Sequence, residues 1–220
     1  MLSVWKRMAA ASPSVVPRGA RYIAYVSKAA SPGRGLKKDP EEYMVSPSGV
    51  HYPGNQATLE PLKALLGQEF SLPDNLLLQT LVHKSFAHGK VPYNDKLAIL
   101  GQQLIRLQAF RAAASEAVSQ NDPFAINGQN FNISSNAVDV LASTPVLSAV
   151  CDKAGLEASI FYKNANANSS PLVKAKAINA IVGALTLERG SDVAVKFINT
   201  KLLNGELSVF SIADNLIVHK

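Results

Sequence analysis

From residue 57 onward, apolar residues recur at the three- and four-residue spacing of helices, and no run of alternating apolar and polar residues marks a strand. The pattern predicts an all-α domain. Helix starts carry capping residues and early prolines, as at Ser170 and Pro171, and helix ends carry glycines, as at Gly155 and Gly190. The predicted helices cover residues 58–66, 73–86, 94–119, 136–154, 171–189 and 191–203.

The helix predicted over 94–119 carries two informative patterns. Gly101 lacks a side chain and so permits the close approach of a second backbone. Four leucines recur at i, i+3, i+7 and i+10, which predicts one continuous buried stripe. These leucines are Leu97, Leu100, Leu104 and Leu107.

The charge pattern divides the chain into segments. Residues 1–38 carry eight of the 22 Lys and Arg residues and no acid, whereas residues 39–220 carry 14 bases and all 16 acids, a net charge of −2. An acid-free opening with Arg and Ser is typical of a mitochondrial transit peptide; a basic arm that binds nucleic acid is the alternative, and the two are compatible. Residues 39–56 contain three prolines and two glycines and are predicted to be a linker. We expect a targeting or basic extension (1–38), a linker (39–56), a helical domain (57–203) and a C-terminal tail (204–220).

The composition excludes several classes of protein. At 47% apolar and 17% charged residues, the chain can form a core and is not a disordered polyelectrolyte. Its longest apolar segment, 178–187, falls short of the ~18 residues that a membrane span needs, so we expect no membrane insertion. The single cysteine, Cys151, allows no internal disulfide and is predicted to be a buried small hydrophobe.

Four sequence blocks, taken in order, resemble the ribonuclease III family. The first reads LVHKSF at 81–86 followed by NDKLAILGQ at 94–102; the second is Ser-Asn at 135–136 with a leucine at 141. The third reads AKAINAIVGAL at 175–185, and a closing helix matches at 190–198. The resemblance covers about residues 73–203 and implies a ribonuclease III endonuclease-like helical domain, here with a basic N-terminal extension.

The resemblance also implies where the chemistry of the family would lie. Ribonuclease III enzymes cleave double-stranded RNA with magnesium held by carboxylates from two helices, because hard divalent cations prefer charged oxygen ligands. Asp95 keeps one flanking acid of the motif. The four expected acids fall on residues that are uncharged or cationic, so we expect no metal, no cofactor and no catalysis. These degenerate positions are Ala98, Gln102, Lys176 and Asn179.

The resemblance implies a function without cleavage. Inactive relatives of this kind are proteins of the large mitochondrial ribosomal subunit in fungi. Because a short segment follows Leu203, we expect the shorter ribosomal form, without the double-stranded-RNA-binding domain that the enzymes append. We expect a non-catalytic structural component of that subunit in the mitochondrial matrix, bound to ribosomal RNA and neighbouring proteins. The alternative is a mitochondrial RNA-processing or maturation factor, the inactive half of a heterodimer. An active nuclease with unconventional ligands is disfavoured.

Candidate contact residues follow from charge and from the family's dimerisation through the signature helix. His83 and Ser85 are expected to be structural, and the partner to be an identical chain or, preferably, a second ribonuclease III-like protein. The candidates for the dimer face, or for the core beside it, are Ile99, Leu100, Gln103 and Phe110. The candidate RNA-binding residues are Arg18, Arg21, Arg34, Lys37, Lys38, Lys84, Lys90 and Lys96.

Overall fold

The computed structural model describes residues 44–116, 125–126, 129–130, 139–163, 170–205 and 207–218. These residues are largely helical, which confirms the predicted all-α class. The predicted extension 1–38 lies outside the described residues. The α-helices are α1 (Gln56–Leu66), α2 (Asp74–Leu81), α3 (Asp95–Glu116), α4 (Thr144–Lys153), α5 (Ser170–Arg189), α6 (Ser191–Phe197) and α7 (Val209–Val218).

Short elements complete the described chain. The 3-10 turns Phe86–Gly89 and Glu157–Ser159 follow α2 and α4, and a π-helical segment, Ile198–Leu203, continues α6. Two residues each form β1 (Ala125–Ile126) and β2 (Gln129–Asn130), which pair antiparallel within the segment between α3 and α4.

Helix α5 is the centre of the domain. It is apolar on nearly all sides, and eleven of its residues, from Val173 to Leu185, are buried. A helix that is apolar all round must be surrounded by other elements. Helix α3 makes its most extensive contact, and α4 and α6 cover further sides of it.

Glycines bring α3 and α5 into backbone contact. A Cβ atom added at Gly101 would lie 1.9 Å from the carbonyl oxygen of Asn179, and one added at Gly183 would lie 2.0 Å from the carbonyl oxygen of Leu97. No side chain fits at such distances. The close approach that Gly101 predicted is therefore confirmed, and each helix contributes one glycine to it.

The predicted leucine stripe of α3 is wrong. Leu97 is buried, but Leu100 and Leu107 are 41% and 54% exposed. The buried face instead follows Gly101 and includes Leu97, Ile105 and Ala109, which lie four and eight residues from it. The contact between the glycines turns this face toward α5, so two of the four leucines point away from the core.

Two predicted helices differ from the observed ones, one because of a long-range backbone pairing and one at a proline. Helix α2 ends at Leu81 rather than at residue 86, because Val82 is extended and forms a parallel bridge with Phe161. The helix predicted over 136–154 is broken: residues 139–141 are helical, and α4 begins only at Thr144, with Pro145 in its first turn. Proline suits that position because the first turn leaves its N–H groups without helical partners.

Residues predicted to be a linker and a tail contribute to the packed structure. In the linker, the ring of Tyr52 lies 5.9 Å from that of Phe86 and 5.8 Å from that of Phe161, between ring centroids. After Leu203, the predicted tail contains helix α7, and Leu207, Val209 and Ala213 belong to the main apolar core. Both segments are therefore corrected to parts of the folded domain where the structure describes them.

Cys151 is fully buried, as its sequence context predicts, and burial raises the pKa of its thiol to about 12. Over the described residues, no helix combines the length and the apolar character that crossing a bilayer requires.

Replacing Gly101 or Gly183 by alanine is expected to lower the free energy of unfolding by about 3 kcal/mol or more, because the new methyl group overlaps backbone that cannot move aside. Gly155→Ala is the control: its φ of +67° strains an alanine, but no atom lies within 4 Å of the added Cβ, so we expect a loss of about 1–2 kcal/mol. Urea denaturation of the full chain measures both. Equal losses at Gly101 and Gly155 would contradict the backbone contact.

Candidate functional site

A cleft of about 240 Å³ opens between α3, α5 and the start of α4. We call it the α3–α5 cleft. Its walls follow from the crossing at the glycines, which holds the first turns of α3 against the first half of α5. The lining residues are Asp95, Ala98, Ile99, Gln102, Ala142, Thr144, Leu147, Leu172, Ala175, Lys176 and Asn179.

The structure brings all four degenerate positions together in this cleft. Ala98 and Gln102 lie one turn apart on α3, and Lys176 and Asn179 lie about one turn apart on α5. Ala98 and Asn179 are buried, whereas Gln102 is exposed at the rim. Residues far apart in the sequence thus form one site.

An ion pair dominates the electrostatics of the cleft. The Nζ atom of Lys176 donates a hydrogen bond to Oδ1 of Asp95 at 2.8 Å, and the two side chains are 31% and 29% exposed. This hydrogen bond is the main reason why the pKa of Asp95 lies below its ordinary value. The carboxylate that the motif retains is therefore already neutralised by a cation from the same chain.

His83 lies near this ion pair, close enough for the charges of Lys176 and Asp95 to act on the pKa of its ring. Its Nδ1 accepts a hydrogen bond from the backbone N–H of Ser85 at 3.2 Å and lies 2.9 Å from the Ser85 hydroxyl oxygen. That hydroxyl oxygen also accepts a hydrogen bond from the backbone N–H of Lys163 at 3.0 Å. Burial, followed by the charge of Lys176, lowers the pKa of His83. The two residues thus tie the turn after α2 to the segment after Phe161.

The side chains that line the cleft do not fit a magnesium ion as ligands. Mg²⁺ takes oxygen ligands in near-octahedral geometry and is held in proteins through carboxylates. The cleft offers a methyl group at Ala98, amides at Gln102 and Asn179, an ammonium at Lys176 and one carboxylate that this ammonium already binds. The ammonium opposes any divalent cation by direct repulsion.

The candidate RNA-binding lysines of the domain lie on its surface. Lys84, Lys90 and Lys96 are exposed, on the turn after α2 and the first turn of α3. Lys84 is close enough to His83 and Asp95 to lower the pKa of both. The five other candidates, Arg18, Arg21, Arg34, Lys37 and Lys38, lie outside the described residues.

The candidate dimer face is an exposed apolar stripe on α3. Ile99, Leu100 and Phe110 are 58%, 41% and 38% exposed, and Gln103 is exposed between them. Leu107 belongs to the same stripe, three residues before Phe110. We call these five residues the α3 face.

Sequence reasoning missed two residues and one property. The leucine stripe predicts Leu107 in the core, although its spacing from Leu100 and Phe110 is a signal for the α3 face. Leu172, exposed at the rim of the cleft, was not singled out. The buried Oδ1 of Asn179 lacks a hydrogen-bond partner in the described structure, and no sequence signal reports that.

Lys176→Met is expected to raise the pKa of Asp95 toward its ordinary value of 3.8, because the ammonium that stabilises the carboxylate is removed. A carboxyl group with a depressed pKa stabilises the fold above its unfolded-state pKa, and this contribution disappears as the pH falls through the lowered value. We therefore expect a loss of about 0.5–1 kcal/mol near neutral pH that vanishes at acid pH. Carboxyl ¹³C NMR titration and urea denaturation at pH 7 and pH 3 measure both effects.

The matched control is Lys174→Met, which breaks the pairs of Lys174 with Asp152 and Glu157 but does not touch Asp95. An Asp95 pKa that stays low in Lys176→Met, or rises equally in Lys174→Met, would contradict the assignment.

Comparison with known proteins places this geometry in a family. A family model described as Ribonuclease-III-like matches residues 73–205. Ribonuclease 3 of Mycolicibacterium paratuberculosis is 30% identical over 141 residues, which cover 61% of this chain and 56% of that protein. Large ribosomal subunit protein mL57 of Neurospora crassa is 28% identical over 159 residues, which cover 64% and 59%. The chain thus spans less than two thirds of the length of these curated relatives.

Two solved structures of the ribonuclease III nuclease domain from Campylobacter jejuni share the fold. They superpose with TM-scores of 0.50 and 0.51 at 22% identity, and cover 64% and 72% of this chain and 93% and 95% of theirs. The family match extends over more than half of the chain, including the glycine contact and every residue lining the cleft. The chain belongs to the ribonuclease-III-like family.

Proposed function

We propose that this protein is a non-catalytic structural component of the large mitochondrial ribosomal subunit, which uses its ribonuclease III-like fold to contact ribosomal RNA and neighbouring proteins. The observation that carries the proposal is the ion pair between Lys176 and Asp95 in the α3–α5 cleft. In this pair, the ammonium group of Lys176 lies where the resemblance places metal ligands. The similarity to the large-subunit protein of Neurospora crassa supports the same reading.

The ion pair argues against metal-dependent cleavage on energetic grounds. Two unit charges ~4 Å apart interact by about 4 kcal/mol at an effective dielectric constant near 20, and a divalent ion doubles that figure. The pair of Lys176 and Asp95 is neutral overall, so the cleft supplies no net negative charge to offset the loss of hydration of a divalent ion, and Asp95 could bind one only after Lys176 moved away. Phosphodiester hydrolysis by the family mechanism would therefore lack the Lewis acid that activates water and stabilises the leaving oxygen.

The α3 face supports a protein partner. Contiguous apolar patches on a soluble domain mark interaction sites, and here four large apolar side chains line one side of a single helix. The resemblance to ribonuclease III proteins assigns dimerisation to this helix. We propose a related ribonuclease III-like protein as the partner, in a heterodimer.

RNA contact is proposed through restricted patches. A protein that binds RNA alone neutralises many phosphates, which requires a basic surplus. Residues 39–220 have a net charge of −2, whereas residues 1–38 have eight bases and no acid. We propose that the basic extension, as far as it persists in the mature protein, and the exposed lysines Lys84, Lys90 and Lys96 touch ribosomal RNA while partner proteins supply most of the affinity.

The compartment follows from two separate lines of support. The acid-free, Arg- and Ser-bearing opening has the composition of a mitochondrial transit peptide. The similarity to a large-ribosomal-subunit protein points to a ribosome as the destination. A mitochondrial ribosome in the matrix satisfies both.

Sedimentation of a mitochondrial extract tests the function. We expect the full chain to comigrate in stoichiometric amount with the large ribosomal subunit, and to remain there after a high-salt wash, because a structural component is held by extensive contacts. Quantitative mass spectrometry across the gradient measures this.

Release into light fractions would instead support an RNA-processing factor that binds as the inactive half of a heterodimer. Magnesium-dependent cleavage of duplex RNA by the purified chain, abolished by Asp95→Asn, would overturn the non-catalytic assignment.

A charge on the α3 face is expected to release the protein from its partner. Leu107→Glu places a carboxylate in the middle of the stripe, where docking would bury it without a counter-charge, so we expect at least a tenfold loss of association. Co-purification of the tagged full chain from mitochondria measures it. Because Leu107 is already exposed, the free energy of unfolding should change by less than about 0.5 kcal/mol.

Leu187→Glu is the matched control, since Leu187 is 69% exposed on α5 and lies outside the α3 face. Equal association of the two variants would contradict docking through α3.

A further inference from the structure

The α3–α5 cleft contains a buried polar group without a partner. Asn179 is only 6% exposed, and its Oδ1 makes no hydrogen bond to the described residues. Buried amide oxygens in native proteins are nearly always paired, so an orphaned one requires an explanation. Asn179 lines the cleft, so a rotation of its terminal amide would present the unpaired oxygen to a group that enters from outside.

The charges of the cleft restrict what that group can be. Lys176 and Asp95 are bound to each other at 2.8 Å, so neither is available as a counter-ion. An entering phosphate would face the carboxylate of Asp95, and an entering cation would face the ammonium of Lys176. The favoured ligand is therefore uncharged and carries an N–H or O–H donor for the Asn179 oxygen.

The size and the rim of the cleft favour a protein side chain. A volume of about 240 Å³ is below the ~300–1,000 Å³ of small-molecule pockets and suits one inserted side chain. Its described lining contains no aromatic or arginine side chain on which a splayed-out base would stack. Exposed Ile99 and Leu172 form an apolar rim, and Ile99 also belongs to the α3 face. The cleft is thus continuous with the surface that we propose for a protein partner.

We infer that the α3–α5 cleft is an anchoring pocket for one uncharged, hydrogen-bond-donating side chain of the protein partner that covers the α3 face. Rotation about the last side-chain bond of Asn179 turns its oxygen toward the inserted donor, since terminal amide torsions are broad. Gln102, exposed at the rim, offers a second amide. The inference rests on the proposed docking of a protein at α3. It assigns a partner's side chain as the ligand at the positions where the resemblance places metal ligands.

Two variants of the full chain test the pocket, each expressed as the sole copy in its mitochondria. Asn179→Leu removes the acceptor and keeps a side chain of similar size. Without a partner, this variant should have an equal or higher Tm, because an unsatisfied buried oxygen is lost. In the complex that the parent chain enters, retention after a salt wash should fall about tenfold, which corresponds to one lost hydrogen bond. A Tm that is unchanged or higher together with weaker retention distinguishes an anchoring pocket from a purely structural role of Asn179.

Gln102→Trp is the second variant and fills the mouth of the cleft from an exposed position, so it should reduce retention without affecting folding. The controls are Thr186→Val and Glu188→Trp on α5. The Thr186 hydroxyl donates to the carbonyl of Val182 within the helix, and Glu188 is exposed away from the cleft, so both controls should be retained like the parent.

Photo-crosslinking identifies the occupant. A benzoylphenylalanine at position 102 should crosslink to a protein segment with a donor side chain at the attachment site, and Asn179→Leu should reduce the yield several-fold. Crosslinking to RNA, or retention of both cleft variants at the parent level, would overturn the inference. If Asn179→Leu lowers the Tm sharply, Gln102→Trp and the crosslink decide. If the parent chain enters no ribosome, the proposed function fails, but the same comparisons on the complex that it does enter still decide the pocket.

Discussion

The contact between α3 and α5 at Gly101 and Gly183 determines the rest of the domain. At this point two backbones touch, and each glycine faces a carbonyl oxygen of the opposite helix. The contact fixes which face of α3 is buried, since Leu97, Ile105 and Ala109 must then face α5 as well. It also sets the geometry of the cleft, because Asn179 supplies the carbonyl nearest to Gly101 and lies one turn before Gly183.

The same proximity makes the charges of the cleft interact strongly. Four carboxylates held within one small cleft repel one another unless a cation neutralises them, and the repulsion is strongest where the helices exclude water. Among the described lining residues the one carboxylate is Asp95, and its cation is Lys176 of the same chain. The glycine contact is thus accompanied by a cleft whose carboxylate is neutralised from within the chain.

The sequence predicted the parts of the fold that depend on local pattern. The helical spacing of apolar residues located α3 and α5 closely, and Gly101 indicated where a second backbone could approach. The leucine stripe failed because α3 is apolar on two sides, and periodicity alone does not tell a core face from an interface face. Counting from Gly101 would have separated Leu97 from Leu100 and Leu107. The packing of Tyr52 and of α7 depends on contacts between distant segments, which composition described only as a linker and a tail.

The sequence predicted which residues line the candidate site, but not how they are paired by charge and hydrogen bonds. The motif spacing placed Ala98, Gln102, Lys176 and Asn179 in one cleft, as the structure does. The bond between Lys176 and Asp95 joins residues 81 positions apart, and the unpaired oxygen of Asn179 is a property of packing. Both depend on distances that no spacing in the chain encodes. The ion pair leaves the described lining without net charge, and Asn179 leaves it with one unsatisfied acceptor. In the proposed assembly, the charge for RNA therefore comes mainly from the extension, while the domain presents an apolar face and a polar pocket to protein.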